Sequence, residues 1–222
     1  MTGTLIFDLD GTLVDSCAIC VDIVASMLED RGAAAAIDPV AVRPLMSIGG
    51  TQMIAQLLGP NCGDPEAEII EFRTRYAQIT TPTAALFEHV SGGLQQLRDA
   101  GFRLAICSNK PQELCEKTLI DVNIAHHFDS IVGSRVGIPK KPDVDLLKIV
   151  VDEMGSEAKD CVLIGDSDLD CQVASRVGMP FVFVTYGYAE PGWSPGSKVE
   201  RFDCFGALCS SLAERVSVSE LV

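Results

Sequence analysis

Two aspartates one residue apart, Asp8 and Asp10, follow the apolar run Leu5-Ile6-Phe7 and lead into Gly11-Thr12-Leu13-Val14-Asp15-Ser16. A carboxylate pair in such a setting can divide the work of nucleophile and proton carrier, provided that differing environments separate the two pKa values. The backbone has to turn here: Gly11 permits the dihedrals of a tight turn, and Thr12 and Ser16 bring hydroxyls that tie a loop or cap the next element. An isolated Asp-Gly most often only ends a strand. Three further polar clusters stand at equivalent places in this chain. Ser108 and Asn109 follow Leu104-Ala105-Ile106-Cys107, and Asp166, Ser167 and Asp170 follow Val162-Leu163-Ile164-Gly165. Lys140 and Lys141 precede Pro142 in the loop after Ile131-Val132. Taken singly, helix capping accounts for Ser108, Asn109, Asp166 and Ser167, and a solvated surface accounts for Lys141. The four clusters together predict a site.

The elements that would position them are short β-rich runs at Thr4 to Phe7, Arg103 to Cys107, Ser130 to Val132, Cys161 to Ile164 and Phe181 to Val184. In the second half they alternate with helical patterns, which predicts an α/β fold with a doubly wound parallel sheet. Ligands of such sheets bind beyond the carboxyl ends of the strands, where all four clusters fall. Stop signals at Gly101 and at Gly178 with Pro180 end helices over Leu94 to Ala100 and Leu169 to Val177. Residues 16–85 carry helical signals and no convincing strand. Cys20 to Leu28 and Met53 to Leu58 suggest two helices; Asp64 and Pro65 open a third, with Ile69, Phe72, Tyr76 and Ile79 on its apolar face. So long an insertion reads as an all-helical cap domain over 16–85, inserted into a catalytic core of 1–15 and 86–222. The short Ala33 to Ala36 run is the sole low-complexity feature.

The 222 residues, 47% hydrophobic, are enough for one good core plus a smaller domain. A formal charge of -14 argues against nucleic acid or an anionic membrane as partner. An anionic substrate would instead need local positive charge, which a metal ion can supply. The nine cysteines are odd in number and scattered, and no secretory pattern opens the chain, so reduced thiols and a cytoplasmic setting are expected. Cys17 and Cys20 form a CxxC with no second pair, and they continue the apolar stripe of Val21, Ile23, Val24, Met27 and Leu28, which makes them core residues. Pro44 to Gly63 lacks charge, but its Pro, Gly, Gln and Asn content excludes a spanning helix.

The segments FDLDGTLVDS (Phe7 to Ser16), ICSNK (Ile106 to Lys110), KPDVDLL (Lys141 to Leu147) and VLIGDSDLD (Val162 to Asp170), in that order, resemble the four motifs of the haloacid-dehalogenase-like hydrolase superfamily, in its phosphoglycolate-phosphatase-like branch. The resemblance implies a Rossmann-like core and a phosphatase acting through an aspartyl-phosphate. Asp8 is then the nucleophile and Asp10 the general acid and base. Ser108 and the backbone N–H of Asn109 bind the transferring phosphoryl group, and Lys141, placed just before proline, neutralises it. Mg²⁺ would be held by Asp8, the backbone carbonyl of Asp10 and Asp166, with Asp170 ligating or orienting a bound water; Asp168 is the competing candidate. Ile48, Gly49, Gly50 and Thr51 resemble a cap loop facing the active site, the bland alternative being an ordinary interhelical turn. The implied partner is a small phosphorylated metabolite, with 2-phosphoglycolate the leading substrate. A dehalogenase is disfavoured by Asp10, and a phosphonoacetaldehyde hydrolase by the absence of any lysine before Lys110. A β-phosphoglucomutase-like isomerase, a pyrophosphatase and a phospho-accepting receiver-like module stand as alternatives. The mutase is weakened because the cap has no Lys or His, only Arg31, Arg43, Arg73 and Arg75. The sequence does not specify the oligomeric state.

Overall fold

The computed structural model describes residues 3–33 and 37–215, so Ala34 to Ala36 of the alanine run lie outside them. In chain order the elements are β1 (Thr4–Phe7), α1 (Cys17–Glu29), α2 (Pro39–Ile48), α3 (Gly50–Leu58), α4 (Pro65–Gln78), α5 (Val90–Asp99), β2 (Arg103–Pro111) and α6 (Gln112–Asp121). They continue with β3 (Ser130–Ser134), α7 (Asp145–Glu153), β4 (Cys161–Gly165), α8 (Asp168–Val177), β5 (Phe181–Val184), β6 (Glu200–Phe202) and α9 (Phe205–Ala213). The strands form one sheet in the order β3-β2-β1-β4-β5-β6, every neighbouring pair parallel. The architecture is therefore the doubly wound α/β sheet that the sequence predicts, with the strand order reversing beside β1.

The central strands are apolar without alternation because both faces are covered. Leu5 and Phe7 pack with Leu104, Ile106, Val162 and Ile164 on one side. Ile6 packs with Ala105, Cys107 and Leu163 on the other. Register then fixes where the polar residues emerge. Phe7 lies level with Ile106 on β2 and Ile164 on β4, and the N–H of Asp8 continues the ladder to the Ile164 carbonyl at 2.9 Å. One step further on, Ser108 and Asp166 flank the Asp8 loop.

Helices α1 to α4 gather around a core of their own, including Ile23, Val24, Met27, Met53, Ile54 and Phe72. Asp64 caps α4 by accepting from the Glu66 N–H, with Pro65 in the first turn, as its sequence predicts. Cys17 and Cys20 are buried among apolar side chains, and all nine cysteines are free thiols. No helix among the described residues is long and apolar enough to cross a membrane.

Two elements depart from the sequence expectations. Helix α2 forms although Pro44, a residue that ordinarily breaks a helix, lies inside it, and only Val42 of its residues is fully buried. Strand β6 is a three-residue sheet edge, too short and too exposed to stand out. The second strand also runs past Cys107 to Pro111, with a register irregularity between those residues, so Ser108 and Asn109 sit within its irregular end rather than after it.

Candidate active site

Directly after β1 the chain folds back: the N–H groups of Leu13 and Val14 both donate to the Leu9 carbonyl, and Gly11 N–H donates to Val14. Gly11 has φ +87°, and a Cβ there would stand 2.2 Å from Asp166 Oδ2. Both the backbone conformation and the close approach of β4 therefore demand glycine. The turn separates its two carboxylates. Asp10 accepts from Ser16 Oγ at 2.7 Å and from Lys110 Nζ at 3.1 and 3.2 Å. Asp8 instead faces Lys141, whose Nζ lies 3.0 Å from its Oδ1.

Lys141 is buried and shared. Its ammonium also meets Asp170 Oδ1 at 2.6 Å and donates to the Cys107 carbonyl at 2.8 Å. The Asn109 side chain holds the Lys141 backbone from both sides, donating to its carbonyl at 3.0 Å and accepting its N–H at 2.8 Å. Neither Ser108 nor Asn109 caps the following helix, whose N-cap is Pro111. Ser167 does cap α8, in a reciprocal box with Asp170, so the capping expectation holds for that residue. Asp170 is consequently held at both oxygens, by Lys141 and by Ser167. The competing Asp168 is exposed and bonded to Gln172. Asp166 accepts from Thr12 Oγ1 at 3.0 Å and from the Tyr188 N–H at 2.6 Å.

Asp8, Asp166 and Asp170 offer carboxylate oxygens that all lie within 4.8 Å of one another. Burial raises the Asp8 pKa to about 6, with Lys141 pulling it down and Asp170 pushing it up. Burial, and then the charges of Asp8 and Asp170, raise Asp166 well above the ordinary carboxylate range. Burial opposes the charge of Lys141, but Asp170 and Asp8 more than offset it and hold its pKa above the usual lysine value. Three carboxylates against one ammonium leave excess negative charge, and the buried Asp8 Oδ1 has the shared Lys141 ammonium beside it but no well-aligned hydrogen bond among the described residues. An all-oxygen donor set with this imbalance fits a hard divalent cation such as Mg²⁺. The Asp10 side chain lies outside this cluster, bonded to Ser16 and Lys110.

A cavity of about 520 Å³ joins the sheet ends to the helical group, with Asp8, Asp10, Ser108, Lys141 and Asp166 on one side. Ile48, Gly49, Gly50 and Thr51 line it from the other side, so the expected cap loop and the bland interhelical turn are the same structure. Ile48 ends α2, Gly50 begins α3, and both glycines have φ near +60°, a junction that is tight because Gly allows it. Trp193, in the turn-rich loop before β6, borders an adjoining cavity and packs edge-on against Phe183.

The sequence reading missed Lys110. Its buried ammonium bonds Asp10 and lies 4.1 Å from the centroid of the Tyr76 ring on α4, which links the helical group to the catalytic loop. The available signal was its position two residues beyond Ser108 in an extended segment, a spacing that aims both side chains to the same side.

Sheet order, a carboxylate cluster at the strand ends and a buried lysine define an α/β enzyme with an aspartate-centred site. A family model described as haloacid dehalogenase-like hydrolase matches residues 5–184. A phosphoglycolate phosphatase from Xanthomonas campestris pv. campestris (strain 8004) is 33% identical, covering 83% of each chain. One from Rhodospirillum rubrum is 30% identical over 94% of this chain and 90% of its own. Among solved structures, a predicted phosphoglycolate phosphatase from Haemophilus somnus 129PT shares the fold with a TM-score of 0.81 at 23% identity, covering 95% of this chain and 97% of that one. The protein belongs to the haloacid dehalogenase-like hydrolase family.

Proposed function

We propose that this hydrolase is a Mg²⁺-dependent phosphatase that cleaves a small phosphomonoester, 2-phosphoglycolate first among candidates, through a phosphoryl group carried on Asp8. The observation that carries the reading is the separation of the two loop carboxylates: Asp8 among Asp166, Asp170 and Lys141, and Asp10 with Ser16 and Lys110. The phosphoglycolate phosphatases at 30–33% identity support the substrate.

Asp8 attacks phosphorus while the bond to the leaving alkoxide breaks, and Asp10 gives that oxygen a proton. Asp10 then takes a proton from the water that displaces phosphate from Asp8, so both carboxylates return to their starting states. Ser108 and the Asn109 N–H bind the transferring oxygens, and Lys141 balances their charge. Lys110 and Ser16 hold the Asp10 side chain on the wall of the cavity that Asp8 also lines. Asp8, Asp166 and the Asp10 carbonyl would hold Mg²⁺, which would supply the positive charge that lets an anionic ester approach these carboxylates. Asp170, engaged at both oxygens, orients Lys141 and the Asp166 side of the site.

In this reading residues 16–85 form a cap over a core of 1–15 and 86–222, in a cytoplasmic enzyme whose partner is a small metabolite. Arg31, Arg43 and Arg75 are tied up in ion pairs with Glu68, Asp15 and Asp30, which disfavours a sugar-phosphate isomerase needing several free cap cations. The test is phosphate release from a panel of phosphomonoesters and pyrophosphate, in Mg²⁺ or in EDTA. Mg²⁺-dependent release, highest for 2-phosphoglycolate, is expected. Release only from pyrophosphate, or none beside isomerisation of glucose 1-phosphate, would overturn it.

A further inference from the structure

Among the described residues, Arg73 is the cap arginine whose guanidinium has no partner. Arg31, Arg43 and Arg75 each form an ion pair, whereas Arg73, on α4, has neither an ion pair nor a hydrogen bond among the described residues, although it lines the cavity that holds Asp8. Lys140, which lines the same cavity from the opposite side, is likewise unpaired among the described residues. Burial disfavours the charge on both, and the charge of Arg73 adds to the effect on Lys140; Glu66, also on the cavity wall, is the acid that partly offsets each. Two mutually repelling cations drawn toward one cleft form an anion site in waiting.

Their position follows from contacts already described. Asp10 holds Lys110, and Lys110 lies on Tyr76. Arg73 is three residues before Tyr76, about 4.5 Å along the axis of α4. Lys140 is chain neighbour to Lys141, which meets Asp8. Arg73 and Lys140 therefore share a cavity wall with Asp8 and with the open Gly49–Gly50 junction, where a Cβ would meet nothing within 4 Å, so a ligand with its phosphoryl group at Asp8 has both cations in the same cleft.

We propose that Arg73 and Lys140 are specificity-determining residues that select phosphomonoesters carrying a second anionic group, a carboxylate or a second phosphate, at the end remote from the scissile bond. The inference rests on the phosphatase reading above. Charge-assisted hydrogen bonds to such a group are individually worth about tenfold or more in binding.

The experiment compares kcat/KM for three two-carbon phosphomonoesters ending in carboxylate (2-phosphoglycolate), hydroxyl (2-hydroxyethyl phosphate) or a second phosphate (ethylene glycol bisphosphate). Wild type is expected to prefer a charged end by about tenfold or more, and whichever charged end is preferred identifies the natural group. Arg73→Gln and Lys140→Gln are each expected to lower that preference by about tenfold, and Arg73→Lys to restore part of it. Equal use of all three esters by wild type, or a preference unchanged in both Gln variants, overturns the subsite and leaves the phosphatase reading standing. If none is hydrolysed the phosphatase reading fails, and calorimetric binding of the charged-end and hydroxyl-end esters decides the subsite: tighter binding of the charged end that depends on Arg73 supports it, and equal binding overturns it.

Discussion

At the scale of single residues, the two aspartates of the loop differ in their partners more than in their position. Lys110 makes that difference, since its ammonium holds both oxygens of Asp10. Lys110→Gln removes a charge-assisted contact worth about 1.5–3 kcal/mol, so kcat is expected to fall roughly tenfold to a hundredfold in steady-state assays. Gly11 offers a sharper structural test. Its φ of +87° and the 2.2 Å approach of Asp166 mean that Gly11→Ala combines backbone strain with overpacking, at about 2–5 kcal/mol by denaturant unfolding. Gly49→Ala shares the positive φ, here with an extended ψ that glycine alone adopts readily, but would meet no neighbouring atom within 4 Å, so its cost should stay at the backbone strain alone, about 1–3 kcal/mol. Equal losses in the two variants would show that the Asp166 contact is not the cause. Asp8, Asp10, Ser108, Lys141 and Asp166 were legible in the sequence because each follows or faces a strand end. The partners that set their electrostatics, such as Tyr188 and Thr12 on Asp166, come together only through the fold.

At the scale of elements, the parallel sheet does the positioning, and the strands that matter most were also the easiest to read. Strands β1 and β4 are buried on both faces, so their unbroken apolar runs stand out. Helix α2 was not legible, because Pro44 inside it reads as a helix breaker and, lying on the surface, it buries only Val42 fully. Its place is set by a polar contact instead. Arg43 on α2 meets Asp15 at 2.7 Å, and Tyr188 donates its hydroxyl to the same carboxylate at 2.8 Å while accepting the N–H of Cys17. Tyr188→Phe removes both contacts, leaving the Cys17 N–H only its longer bond to Asp15 at 3.3 Å, and is expected to cost about 1 kcal/mol, read from the urea midpoint at constant m. A change below about 0.3 kcal/mol would mean that packing, not this contact, anchors the start of the helical group.

At the scale of the whole molecule, a strongly acidic chain gathers three carboxylates at the centre of its sheet, and that has a consequence for stability. Burial raises the Asp8 pKa to about 6 in the folded protein against 3.8 for an ordinary aspartate, and Asp166 is raised as well. Between these values the folded state binds more protons than the unfolded one, so the metal-free protein loses stability as pH rises through about 6. In the proposed phosphatase, Mg²⁺ bound at these carboxylates would take the place of those protons. Calorimetry should therefore show a larger gain in Tm from Mg²⁺ over EDTA at pH 7.5 than at pH 5, and an equal gain at both would argue against carboxylate binding of the ion. The most direct measurement is phosphate release from 2-phosphoglycolate, in Mg²⁺, by wild type and by Asp8→Asn shown to be folded by circular dichroism. We expect wild-type turnover and a fall to background in the variant, whereas release by the folded variant within tenfold of wild type would contradict a nucleophilic Asp8.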